Sequence, residues 1–170
     1  MDLPLVKYLE TPVPLEWGTL FVPAQSAKFR PFNPSLRIPI LLENGQSLRE
    51  ADASVCWLSK MVGSKFWRID PNLLGLIRWI SWGNSFGNAF SLVHFEHSTN
   101  QRCHQGPMDL PKVVEGEALL QESAAQLDEY LQGKKFLLRS GLSYADFRVT
   151  TFLLFNDVTY PPKSEIGGDC

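Results

Sequence analysis

The sequence predicts an α+β chain in two parts: a mixed strand-and-helix segment over residues 1–67 and a purely helical one over 68–170. Three observations carry this reading. Prolines crowd the stretch up to Pro39 among short apolar runs, the texture of strands bounded by turns. Asn44-Gly45 sits between two such runs and supplies the positive φ angles of a tight hairpin. From Asp52 onward, apolar residues recur at three- and four-residue steps, the period of a helix packed on one side.

Taken in order, residues 15–22 and 38–42 read as strands, the second paired across the hairpin with Ser47-Leu48. A helix beginning at Asp52 aligns Val55, Leu58 and Val62 and stops at Gly63. Asp70 is placed to cap the next helix, with Pro71 at its first position. That helix runs to about residue 95. Its Leu73, Ile77, Trp79, Ile80, Trp82, Phe86 and Phe90 are too many for one narrow face, so burial on several sides is expected. Residues 98–111 form a loop. An amphipathic helix follows, carrying Val113, Leu120, Ala124, Leu127 and Leu131 and ending at Gly133. Ser143 and Asp146 have the spacing of a capping box. The helix they open carries Phe147, Thr151, Leu154, Phe155 and Val158, closes at Pro161-Pro162, and leaves 163–170 as a polar tail.

Composition excludes several classes. With 170 residues, 44% hydrophobic and 20% charged, the chain is no disulfide miniprotein, disordered tail or collagen-like fibre. Sixteen basic residues against eighteen acidic ones leave no basic field for a nucleic acid or an anionic membrane. The start, Met1-Asp2-Leu3-Pro4, lacks the charge and apolar core of a signal peptide, and the apolar stretch 73–82 is interrupted by Arg78 and shorter than the ~20 residues of a membrane helix. Cys56, Cys103 and Cys170 are odd in number and widely spaced, which suits a reducing compartment, so a cytoplasmic protein is expected. His94, His97, Cys103 and His104 match no strong zinc spacing, and no metal is expected.

Several segments together resemble one family. Phe32-Asn33-Pro34-Ser35-Leu36-Arg37-Ile38-Pro39, the hairpin, and Leu48-Arg49-Glu50-Ala51-Asp52-Ala53 are similar to the end of the thioredoxin-like domain of glutathione transferases. Arg78-Trp79-Ile80-Ser81-Trp82, Phe95-Glu96 and Gly141-Leu142-Ser143-Tyr144-Ala145-Asp146 resemble their helical domain. The likeness spans roughly residues 13–160. It implies an incomplete thioredoxin-like N-terminal domain followed by an all-α glutathione-transferase C-terminal helical domain.

The resemblance also assigns roles. In the family the proline matching Pro39 is cis, and the backbone N–H and C=O of the residue before it, here Ile38, pair with the cysteinyl part of glutathione like an added strand. Glu50 matches the carboxylate that receives the γ-glutamyl ammonium. Ala51 stands where the family has a serine, which removes one donor and weakens binding by about 1 kcal/mol. Trp79, Trp82 and Phe86 match a hydrophobic acceptor pocket. Each has a plainer reading: a strand entered through a proline, a glutamate complementing a helix dipole, and aromatic residues at core spacing. The family's catalytic Tyr, Ser or Cys lies between its first strand and first helix. Only fourteen residues precede 15–22, where a βαβ unit needs ~30, so the chain reads as shortened at both ends with its catalytic residue unidentified. Residues 6–10 resemble the last turns of the family's first helix, and Tyr8 fits that helix remnant better than a catalyst. The implied ligands are glutathione and a small hydrophobic electrophile, and the implied assembly is a homodimer. The alternative is a non-catalytic assembly module, a use to which such domains are put in the gamma subunit of the translation elongation exchange complex.

Overall fold

The hairpin follows from two residues. Asn44 and Gly45 take φ of 49° and 78°, the left-handed pair that a two-residue turn demands. They join β1 (Ile40–Glu43) to β2 (Gln46–Arg49), antiparallel, with Leu41 opposite Leu48 and Ile40 opposite Arg49. This computed structural model describes residues 3–16, 27–69, 71–97 and 107–151. The chain divides into two compact units, Met1–Trp67 and Arg68–Cys170.

In the first unit, α1 (Leu3–Tyr8) buries Leu5 and sets the Tyr8 ring against Phe66, centroids 5.0 Å apart and planes tilted by 49°. After β2, α2 (Ala51–Met61) buries Val55 and Leu58 completely or nearly so. Its end is fixed as the sequence predicts: Gly63 adopts φ 65° and donates to the Lys60 carbonyl. Ser59, buried, takes the Trp67 N–H on its hydroxyl at 3.2 Å and ties the end of the unit to α2. Leu15 and Glu16 form no strand, and the rest of the expected 15–22 strand lies outside the described residues. Among the described residues, the sheet of this α+β fold is the two-stranded hairpin.

The second unit is helical. The long α3 (Leu73–His94) is followed by a wider, π-type turn over 95–97; α4 (Leu110–Leu131) and α5 (Tyr144–Thr150) both pack on α3. Asn72 stands at the start of α3, so Pro71 precedes the helix instead of occupying its first position, and Asp70 lies outside the described residues. Leu76, Trp79, Ile80, Gly83, Phe86 and Ala89 are the buried side of α3. Ile77 is 45% exposed, which corrects the expectation of an all-round core helix: α4 and α5 occupy two faces and leave Leu74, Ile77 and Arg78 outside. On α4 the inward stripe is Val113, Gly116, Leu120, Ser123 and Leu127, so Ala124 is exposed, one position off the expected line. Among the described residues of α5, the buried ones are Tyr144, Ala145 and Val149, with Phe147 only half-buried; Leu154, Phe155 and Val158 lie outside the described residues.

Close approach at one glycine sets the α3–α4 spacing. A Cβ on Gly116 would stand 2.7 Å from Val93 Cγ2, 3.2 Å from the Ala89 carbonyl oxygen and 3.2 Å from Leu92 Cβ. The start of α4 is held twice: Asp109 accepts the Lys112 N–H, and the buried Glu96 accepts the Asp109 N–H at 3.0 Å. Hydrogen bonds from Lys112 hold the Asp109 carboxyl below the usual carboxylate range.

The turn before α5 is locked by charge-assisted bonds. Asp146 accepts the Ser143 and Leu137 N–H groups at 2.8 Å each, the capping box the sequence predicts with a second bond added. Arg68 donates through Nη2 to the carbonyls of Ser140 and Leu142 at 3.0 and 2.7 Å. Tyr130 donates its hydroxyl to the Leu137 carbonyl.

Candidate functional site

The loop ahead of β1 is shaped by Asn33, a buried residue to which the sequence reading gave no role. Its Oδ1 accepts from the Ser35 N–H and hydroxyl, at 3.2 and 2.8 Å, and its Nδ2 donates to the Arg37 carbonyl at 2.7 Å. One side chain thus pins both sides of the bend that delivers Ile38 and Pro39 to the sheet. The visible signal was the Asn-Pro-Ser run, a turn initiator whose side chain hydrogen-bonds to its own following backbone.

The Ile38–Pro39 peptide is cis, as the resemblance implied. Ile38 is 50% exposed, and among the described residues neither its N–H nor its C=O is paired. Ile40 pairs with Arg49, so Pro39 and Glu50 come next at the same end of the hairpin.

Glu50 is the N-cap of α2 and has φ 72° and ψ 132°. That is a left-handed backbone that glutamate rarely adopts, held at a cost of about 1–3 kcal/mol. What holds it is Ser54, buried, whose N–H and hydroxyl both donate to the Glu50 carbonyl at 3.1 Å. The exposed Glu50 carboxylate makes no cap bond, and among the described residues it has no hydrogen-bond or ion-pair partner. Ala51 opens the helix, and the N–H groups of residues 51–53 have no acceptor within it, the usual state of a first turn. The hairpin end therefore presents one exposed carboxylate, orphan amides and an unpaired backbone step together.

The second unit holds the three aromatic residues assigned to an acceptor pocket. Trp79 and Phe86 are buried, and Trp82 is half-buried between them, 5.4 Å from each ring centroid. Trp79 also meets Tyr130 edge-on at 4.7 Å, and Trp82 donates its indole N–H to Gln126. The three form a ladder along α3 that packs against α4. A groove of about 560 Å³ between α3 and α4 is lined by other residues, among them Ser85, Asn88, Leu92, Leu119 and Ser123.

Of the histidine and cysteine cluster, Cys103 and His104 lie outside the described residues. His94 stacks on Phe90 at 5.4 Å, and burial lowers its readiness to take a proton. Cys56 is a free thiol on α2 that burial pushes up, away from the reactive thiolate. No helix among the described residues is long and apolar enough to cross a membrane.

Comparison with solved structures decides the fold. Human glutathione-S-transferase T1-1 superposes with a TM-score of 0.77 at 20% identity, over 88% of this chain and 65% of that one. The fold is that of the glutathione transferases. The theta class enzyme of Xanthomonas axonopodis pv. citri, solved with glutathione bound, gives a TM-score of 0.72 at 18% identity over 94% of this chain and 80% of its own. Glutathione S-transferase 1-6 of Anopheles dirus species B gives 0.71 at 18%, over 93% and 75%. No family sequence model matches the chain, and no curated protein matches it by sequence. The glutathione-transferase fold is thus carried here by a sequence only about one-fifth identical to the proteins that share it.

Proposed function

We propose that the chain binds reduced glutathione at the end of the β1–β2 hairpin, and that conjugation of the bound thiol to a small hydrophobic electrophile is the reaction this cradle serves. The observation that carries the proposal is Glu50: a carboxylate unpaired among the described residues, on a backbone forced left-handed at the N-terminus of α2, at the hairpin end where the Ile38 backbone is likewise unpaired among them. Strain of this kind persists where surrounding structure holds a residue for a task. In this reading Ile38 pairs with the cysteinyl backbone, Pro39 shapes its approach, Glu50 takes the γ-glutamyl ammonium, and the Ala51 amide faces the γ-glutamyl carboxylate. The Xanthomonas structure of the same fold, solved with glutathione bound, supports the ligand class.

Residues 1–67 are then the glutathione-binding domain. Residues 68–170 carry the acceptor surface, with Trp82 presenting its ring and Trp79 and Phe86 backing it. A cytoplasmic homodimer with no metal completes the reading. Ala51, which has a methyl group where the family has a hydroxyl, favours the second reading, a non-catalytic assembly module.

Calorimetric titration with reduced glutathione tests the choice. The native chain should bind saturably, Glu50→Ala should bind more weakly, and Ala51→Ser should bind about fivefold more tightly, since a restored hydrogen bond contributes roughly 1 kcal/mol. Absence of heat at millimolar glutathione, in a sample whose near-ultraviolet circular dichroism shows it folded, would refute glutathione binding and leave the assembly reading.

A further inference from the structure

Around the end of α4 stand three cations that have no anion among the described residues. The Arg78 guanidinium on α3 stands 5.1 Å from the Trp79 ring centroid and 5.5 Å from that of Tyr130. Lys134 Nζ lies 3.6 Å from the same Tyr130 centroid and donates to the Tyr130 carbonyl. Lys135 Nζ is 5.4 Å from the Phe136 ring. Arg78, Lys134 and Lys135 are all exposed.

Among the described residues, no carboxylate lies within ion-pair distance of any of the three, although Asp128 and Glu129 directly precede Tyr130 in sequence. Among the described residues Arg78 has no hydrogen-bond partner. The buried indole N–H of Trp79, in ring contact with Tyr130, has no acceptor among the described residues either. Donors thus outnumber acceptors throughout the cluster, in a chain whose overall charge is negative.

Stacking gives this surplus a shape. A guanidinium resting on two aromatic faces keeps its plane while its N–H fork stays available for a carboxylate. Lys134 spends one donor on the Tyr130 carbonyl and keeps two. Three cations spread over two ring platforms suit successive carboxylates along an extended chain, and Arg, Trp and Tyr are the residue types that anchor protein contacts.

We infer that Arg78, Lys134 and Lys135, arrayed over Tyr130 and Phe136, form a docking surface for an acidic peptide segment of a partner protein. The surface lies wholly within the second unit and does not depend on glutathione binding.

The test is fluorescence anisotropy with fluorescein-labelled hexaglutamate, at low and at physiological salt, with hexalysine as the opposite-charge control. Hexaglutamate should bind saturably and more weakly as salt rises, and hexalysine should not bind. Arg78→Gln and Lys134→Gln should each raise the dissociation constant at least about fivefold, while Lys65→Gln, an exposed lysine of the first unit, should leave it unchanged. Failure of hexaglutamate to bind would overturn the inference. So would equal weakening by Lys65→Gln, or displacement by inorganic phosphate at concentrations no higher than those of peptide glutamate. Trp79 and Trp82 emission reports whether each variant is folded; should Arg78→Gln unfold, Lys134→Gln and Lys135→Gln carry the same comparison.

Discussion

Replacing Gly116 with alanine should destabilise the chain, although the substitution improves helix propensity. In an exposed helix, glycine to alanine gains about 1 kcal/mol. At Gly116 the new methyl group would stand 2.7 Å from Val93 Cγ2, closer than real Cβ atoms come, and a tight 3.2 Å from a backbone oxygen. Val93 is β-branched and has little rotamer freedom on a helix, so it cannot swing away; relief requires α3 and α4 to separate. Overpacking of this kind costs about 1–3 kcal/mol. Set against the propensity gain, the net loss is about 1 kcal/mol, or roughly 2–4 °C in Tm for a chain of this size. Urea unfolding followed by tryptophan emission measures it. Ala125→Gly, on an exposed position of the same helix, isolates the propensity effect, with an expected loss of about 1 kcal/mol. Should Gly116→Ala stabilise the chain by as much as Ala125→Gly destabilises it, the helices are not in contact there and the reasoning fails.

Two other perturbations follow from the same unit. Arg68→Met keeps the apolar stem and removes two charge-assisted bonds to Ser140 and Leu142; a loss of about 1–3 kcal/mol is expected in thermal unfolding, with unprotected amides in 137–143 by hydrogen exchange. His94 has its pKa lowered by burial from the ordinary 6.5. The unfolded state therefore binds more protons once pH falls below about 6.5, and stability present above that value declines as pH drops towards the depressed folded value. Urea midpoints at pH 7.5 and 5.5 should differ less in His94→Gln than in the native chain; an unchanged difference would show that other groups cause it.

Local features were legible in the sequence because their causes are local. Asn44-Gly45 specified the hairpin, Gly63 and Gly133 marked helix ends, and Ser143 with Asp146 announced the cap, since each acts within a few residues. Helix faces were read less well. Periodicity names a stripe but not the number of neighbours, which is why Ile77 was expected inside and why Ser123 and Ala124 exchanged places. Long-range partners were invisible: nothing near Arg68 points to carbonyls more than seventy residues away, and nothing near Gly116 points to Val93. For the candidate site, Ile38, Pro39, Glu50 and Ala51 came from resemblance, which the solved structures bear out only as fold. The left-handed backbone of Glu50 could not be foreseen, because glutamate is not a residue type that signals it.

That backbone sets two selections against each other. Glycine at position 50 would relax the left-handed φ and return part of the strain as stability, at a site where no side chain among the described residues pairs with the carboxylate. A library screened for heat resistance alone would drift to glycine there. A library screened for capture of an amine-bearing ligand would discard those same clones. Thermal improvement of this chain is therefore best sought away from the helix start that follows the hairpin, where the least comfortable residue is also the one with a charge to offer.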